Sequence, residues 1–231
     1  MEMTRRVEPE WLDELPADDP RALRSRRDLR RVNALMANAG IVAGELRRAL
    51  PGGIASAAEI GAGDGSFALR VARALQPADR GALITLLDRQ AIVRPATVAQ
   101  LAQRGWRVHA EQADVFDWLR RNPRARFDAI VANLFLHHFD RVPLAELLAL
   151  VASRTGCFVA CEPRRSNLAL VGSGLLGLVG CNDVTRHDAV ASVRAGFRGA
   201  EISSLWPRGG DWTLEERARG MFSHSFVARR R

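Results

Sequence analysis

The stretch AAEIGAGDGSF, residues 57–67, decides how the rest of the chain is read. A short apolar run stops at alternating glycines and passes into SFALRVARA, whose apolar residues recur at helical spacing. Strand, glycine turn and helix in that order open a nucleotide-binding α/β unit. A dinucleotide loop needs G-x-G-x-x-G, so that bare amides at a helix N-terminus meet a pyrophosphate. Here Gly61, Gly63 and Gly65 give G-x-G-x-G, and Ser66 stands where the third glycine belongs. Glu59 on the strand and Asp64 in the loop would also repel a diphosphate in a partly dry site. The glycines allow close backbone approach, but the charge asks for a cation.

Outward from this unit, short apolar runs alternate with longer amphipathic ones, as in βαβ units around a parallel sheet. Strands are expected at 56–61, 82–88, 106–112, 127–134 and 156–163, with helices at 66–76, 91–105, 115–122 and 142–154 between them. After residue 163 a glycine-punctured apolar stretch leads to a helix at 186–197. AEISSLW (200–206) and MFSHSFVARR (221–230), joined through Pro207, Gly209 and Gly210, are read as a closing antiparallel hairpin. Residues 1–50 are read as a helical cap, with Leu23, Leu29, Val32, Leu35 and Met36 at helical spacings and Asp19-Pro20 as a helix start. Pro51-Gly52-Gly53 then breaks the chain before a domain at 51–231.

A length of 231 residues suits one fold with an appendage, and 47% hydrophobic with 26% charged residues excludes a disordered or fibrous chain. Cys157, Cys161 and Cys181 form an odd set behind an N-terminus with no apolar leader, which points to a reduced, cytoplasmic setting. The longest apolar run, LALVGSGLLGLVG (168–180), is shorter than the ~20 residues of a spanning helix. No membrane span is expected, while peripheral contact with a membrane stays open. The net charge of +8 comes entirely from arginine and is spread along the chain, apart from RALRSRRDLRR at 21–31. Solvated helix faces account for such a spread before a nucleic-acid surface does.

A ligand that joins a nucleoside to cationic groups is S-adenosylmethionine, with its ammonium and sulfonium. At this point the chain resembles the class I, Rossmann-like, S-adenosylmethionine-dependent methyltransferases over about residues 55–231. EIGAGDGSF looks like that family's first motif, which implies that Gly61, Ala62, Gly63, Asp64 and Gly65 lie against the cofactor. Glu59 or Asp64 then meets the ammonium, directly or through water. The resemblance further implies that Asp88 in TLLDRQ, followed by Arg89, holds the ribose hydroxyls. It sets Asp114 in EQADVF at the adenine amino group with the Val115 amide at the ring, and Asn133 and Leu134 in FDAIVANLFLHHF beside the methyl donor. As ordinary structure, Asp88 would be a helix cap, Asp114 a turn aspartate and Asn133 a strand-end turn former. Four motifs in the right order favour the cofactor site, with S-adenosylhomocysteine (SAH) as product. The implied fold is a mostly parallel central sheet with an antiparallel C-terminal hairpin and an N-terminal helical cap.

Methyl transfer needs in-line approach of a nucleophile, and a base where the acceptor loses a proton. His137 or His138, after the fourth strand, is placed for that role. No metal is expected, since Cys157 and Cys161 alternate within one strand and no second Cys/His pair stands at finger spacing. ANLF is not the Asn/Asp-Pro-Pro-aromatic tetrapeptide of adenine amino methylation, no Pro-Cys pair suggests attack on cytosine C5, and the lack of lysine removes the Lys-Asp-Lys-Glu tetrad of ribose methylation. These absences argue against a nucleic-acid substrate. The N-terminal helices and an apolar insertion at 168–185 are expected to cover a hydrophobic, aromatic small-molecule acceptor. WLDELPADDPRALRSRRDLRRVN, ANLFLHHF, CEPRRSN and TRHDAVASVRAGF resemble bacterial methyltransferases of phenolic and polyketide pathways, which implies phenolic O-methylation with Glu162 and Arg165 at the pocket edge. The competing readings are an RNA or protein methyltransferase docking through the arginines at 24–31, a non-catalytic cofactor-binding module, and dinucleotide binding.

Overall fold

Central strands that are apolar on both faces can be buried only in a sheet covered on both sides. The computed structural model describes residues 3–75, 77 and 81–231 and shows that arrangement. In chain order the elements are α1 (Trp11–Glu14), α2 (Pro20–Leu35), α3 (Asn38–Ala49), β1 (Ser56–Ile60), α4 (Ser66–Ala74), β2 (Ala82–Asp88), α5 (Pro95–Ala102) and β3 (Trp106–Gln112). There follow α6 (Val115–Arg121), β4 (Ala129–Asn133), α7 (Arg141–Ala152), β5 (Cys157–Pro163), α8 (Asn167–Gly174), α9 (Asp183–Ala195), β6 (Trp212–Arg219) and β7 (Ser223–Arg230). The described residues form one seven-stranded sheet in the order β3-β2-β1-β4-β5-β7-β6, parallel except for β7, which runs antiparallel to both neighbours. Gln76, the last residue of the helix expected at 66–76, lies outside the described residues.

The pleat divides the core in two. Ala57, Val131, Val159 and Cys161 face a layer that includes Val42, Leu46, Phe67 and Val71, whereas Ala58, Ile60, Ile130, Ala132 and Phe158 face Leu144, Leu148, Phe197 and Trp206. Val42, Ala43 and Leu46 belong to α3, so residues 38–49 of the expected cap cover the sheet rather than the site. The face that α2 buries is also not the leucine series: Ala22, Ser25 and Asp28 are buried, while Leu23 and Leu35 are exposed. A polar seam explains this, because Thr185 Oγ1 donates to Ser25 Oγ at 2.9 Å and the Asn182 amide to Asp28 at 2.9 Å. Asp19 caps α2 as its sequence suggests, accepting from the Arg21 and Ala22 amides.

The closing hairpin uses a different first strand from the one expected. AEISSLW folds as turns and a short 3-10 segment, Ser203–Leu205, which bury Ile202 and Trp206, and Trp206 stacks on Phe158. Its apolar residues serve helical spacing, not alternation. WTLEERAR forms β6 instead, as the outer strand of the sheet, where its acids find partners: Glu216 meets His224 at 2.8 Å and Glu215 meets Arg48 at 2.9 Å. Among the described residues no helix is long and apolar enough to cross a membrane.

Candidate active site

At the C-terminal ends of the parallel strands lies a cavity of about 440 Å³, within the usual size of small-molecule sites. Its wall at β1 is the glycine loop. Gly61, Gly63 and Gly65 have φ of 70°, 56° and 75°, left-handed values that favour glycine. A Cβ at Gly61 would also overlap the Phe135 ring, so the loop and the segment after β4 touch only because that side chain is missing. Leu134 takes φ of 52° at the same junction, a strained conformation for a leucine that costs about 1–3 kcal/mol.

Each acid of the expected cofactor site is found at this end, with different freedom. Asp88 accepts from the Gly63 and Gln90 amides, both at 2.8 Å, which fixes its carboxylate against the loop. Asp114 caps α6 through Oδ1, accepting from the Phe116 and Asp117 amides. Asp64 accepts from the Ser66 amide and pairs with Arg30 at 2.9 Å. Asn133 Oδ1 accepts from Asn38 at 3.0 Å, joining β4 to the start of α3. Glu59 is unlike the rest: it is buried, and its Oε2 has no hydrogen-bond partner. Burial, with Asp88 and Asp64 nearby, pushes its carboxyl well above the usual range. A cationic group placed there would relieve that cost. Glu59, Gly61, Ala62, Gly63, Asp64, Asp88, Arg89, Asp114, Val115, Asn133 and Leu134 all line the cavity; Gly65 sits behind the wall, against Thr97 and Leu86.

The other end is built around the histidines. Glu162, at the end of β5, is fully buried and accepts from the Phe135, Leu136 and His137 amides and from His137 Nδ1 at 2.8 Å. His137 Nε2 meets Glu10 at 3.2 Å. Burial by itself would lower the His137 pKa, but hydrogen bonds to Glu10 and Glu162, and their charges, raise it to about 9. His137 is thus an imidazolium with both ring nitrogens donating. His138 differs: burial and the charge on His137 lower its pKa, and its Nδ1 lies 3.4 Å from Asp13. Its Nε2 lies 3.8 Å from Glu10 on the same wall, so a proton on Nδ1, toward Asp13, leaves Nε2 as the acceptor.

Glu162 and Arg165 therefore do not form the pocket edge expected of them. Glu162 spends its oxygens on the turn after β4, and Arg165, also buried, donates to Met3 O at 2.9 Å and pairs with Glu201. Neither lines the cavity, and neither do residues 168–180: α8 buries only the small Ala169 and Ser173, leaving Leu168, Val171, Leu175, Leu178 and Val179 exposed. The cover comes from Glu10, Leu12, Asp13, Arg26, Leu29 and Arg30. Glu10 and Asp13, which sequence reasoning missed, are fixed because the Trp11 and Leu12 amides donate to Asp188 at 2.9 and 3.0 Å. Their partners lie more than a hundred residues away in sequence, so no local pattern marks them. Ligand atoms of Glu10, His137 and His138 lie within 4.8 Å of one another, a spacing that suits a metal ion, but an ion there would have to displace the His137 proton.

Strand order, glycine turn and the acid closing β2 together define the class I, Rossmann-like methyltransferase fold, the class whose methyl donor is S-adenosylmethionine. Residues 57–155 match the family model described as a methyltransferase domain. Among solved structures it is similar to the plantazolicin methyltransferase BpumL in complex with SAH, at 14% identity and TM-score 0.66, over 93% of this chain and 92% of that one. It is also similar to an O-methyltransferase family protein from Burkholderia thailandensis, at 19% identity and TM-score 0.62, over 93% of this chain and 61% of that one. The pyocyanin biosynthetic protein PhzM is similar at 20% identity and TM-score 0.58, over 96% of this chain and 62% of that one. At these identities the likeness is one of fold, and the chain spans less than two thirds of the last two. Comparison with curated proteins finds no significant match.

Proposed function

We propose that this chain transfers a methyl group from S-adenosylmethionine to the hydroxyl oxygen of a hydrophobic, aromatic small molecule, with His138 as the base. The single observation that carries the reading is the split between the two histidines: His137 is held protonated by Glu10 and Glu162, while His138 stays neutral at the cavity wall. The buried Glu59 oxygen without a partner suits the donor's ammonium, and Asp88, fixed against the loop, suits the ribose. When bound, the donor supplies an electrophilic methyl group. His138 Nε2 takes the proton of the acceptor hydroxyl, and Asp13 steadies the imidazolium through Nδ1. Phe135 and Phe139, edge to face at 5.2 Å, offer the acceptor ring an apolar wall beside His138. The same apolar wall supports a small acceptor, and the plantazolicin methyltransferase and the O-methyltransferase family protein among the structural neighbours are in keeping with it.

Docking of RNA through the arginine cluster is disfavoured by the contacts those arginines make. Arg24 donates to Gly180 O, Arg26 to Ala17 O and Gln90, Arg30 pairs with Asp64 and Arg31 approaches Asp28. Incubation with labelled S-adenosylmethionine and a panel of phenols tests the reading. Labelled product that disappears in His138→Ala is expected. Cofactor binding without turnover on any acceptor would make the chain a non-catalytic binding module.

A further inference from the structure

Two carboxylates near the glycine loop are candidates for the donor's ammonium, and the structure treats them unequally. Asp64 already has a cation, because Arg30 Nη1 reaches it from α2 at 2.9 Å, and both residues line the cavity. Glu59, deeper in the same cavity, keeps an oxygen with no partner. An amino-acid end brings both an ammonium and a carboxylate on one carbon, so its binding site needs an acceptor and a cation close together. Glu59 and Arg30, which both line the cavity, supply an acceptor and a cation.

We propose that Arg30 binds the carboxylate of the cofactor's methionyl end while Glu59 takes its ammonium, so that α2 is part of the cofactor site and not only a cover for the acceptor. The proposal rests on the S-adenosylmethionine reading. A guanidinium presents a planar fork that matches a carboxylate with two parallel hydrogen bonds. The other arginines of the cavity wall are engaged elsewhere: Arg26 donates to Ala17 O and Gln90, and Arg89 approaches Asp13 at 3.9 Å. Arg30 has a fixed base from which to turn, since its carbonyl accepts from Arg70 at 2.8 Å and so ties α2 to α4. Its side chain is 29% exposed, open enough to leave Asp64 in part and bridge to a ligand. Without ligand it offsets Asp64; with ligand it neutralises a second carboxylate that would otherwise face Glu59, Asp64 and Asp88.

The test compares two ligands that differ only at the end in question. SAH carries the amino-acid group, whereas 5′-methylthioadenosine keeps the adenosine and a thioether without it. Titration calorimetry of the full chain should show a wild type that prefers SAH. Arg30→Ala should weaken SAH by about 10- to 100-fold, as for charge-assisted hydrogen bonds, while affinity for 5′-methylthioadenosine stays within about twofold. Arg30→Lys should recover part of the SAH affinity. Unchanged methylthioadenosine binding also shows that the variant is folded. Equal loss for both ligands, or no loss for SAH, overturns the proposal. A wild type that binds neither overturns the cofactor reading, and this proposal with it.

Discussion

The two ends of the cavity bury charge in opposite ways. At the glycine loop, Glu59 is buried with an oxygen that meets nothing. At the turn after β4, Glu162 is equally buried, but three backbone amides and an imidazolium satisfy it. A buried carboxylate without a partner costs several kcal/mol or gives up its charge, while one with a full set of donors holds its surroundings rigid. In the proposed function the second arrangement holds structure and the first receives a ligand. The proposed function divides the adjacent histidines along the same line: the one inside the satisfied network keeps its proton, and its neighbour accepts one.

The largest effect should come from removing that neighbour. His138→Ala is expected to lower turnover by about 10²- to 10⁴-fold while leaving SAH affinity intact, since a positioned general base contributes that much. Steady-state kinetics with calorimetry checks both halves, and wild-type turnover in the variant breaks the division between the histidines. Because the His138 pKa is lowered, the acid limb of wild-type turnover should fall below pH 6.5. In His137→Gln the limb should move up, because the charge that helps lower it is gone.

Next in size is Asp88→Ala, which should weaken SAH by about 1.5–3 kcal/mol and also loosen the loop by releasing the Gly63 amide. Unchanged affinity would place the ribose elsewhere. The His137 network has a pH signature in stability. A histidine whose pKa rises from 6.5 to about 9 on folding stabilises fully below pH 6.5, and the contribution is lost as pH rises through 9. Thermal melting of wild type should therefore fall between those values, and His137→Gln should flatten the fall. The smallest effect is expected at Leu178→Ser, on the exposed stretch after α8, where acceptor KM should stay within about twofold, as for surface substitutions. A large rise in KM would restore 168–185 as substrate cover.

The parallel half of the sheet was legible because a buried parallel strand needs a continuous apolar run, and SAAEI, ALITLLD and CFVACEP have little else to do. β6 was not, since an outer strand carries its charges openly and WTLEERAR reads as a connection. AEISSLW reads as a strand because its apolar residues are core residues of a turn, among them Trp206. At the site, the motif residues Asp88 and Asn133 could be placed because chain order carries them. Glu10, Asp13 and Arg30 could not, because their partners are set by how α1 and α2 fold back over the strand ends. The two acids at the glycine loop are visible in the sequence, but not their unequal surroundings: Asp64 is paired with Arg30, and Glu59 keeps an oxygen without a partner.

Glu59→Gln tests the central contrast most directly, with melting temperature and SAH affinity measured on the same protein. Because burial raises the Glu59 pKa, its ionisation costs stability increasingly as pH rises above 4.5, and the amide removes that cost. The ligand-free variant should melt higher than wild type at neutral pH and bind SAH about tenfold or more weakly. A variant that melts lower and binds SAH as tightly as wild type would show that Glu59 is a structural acid and that the cation is held elsewhere.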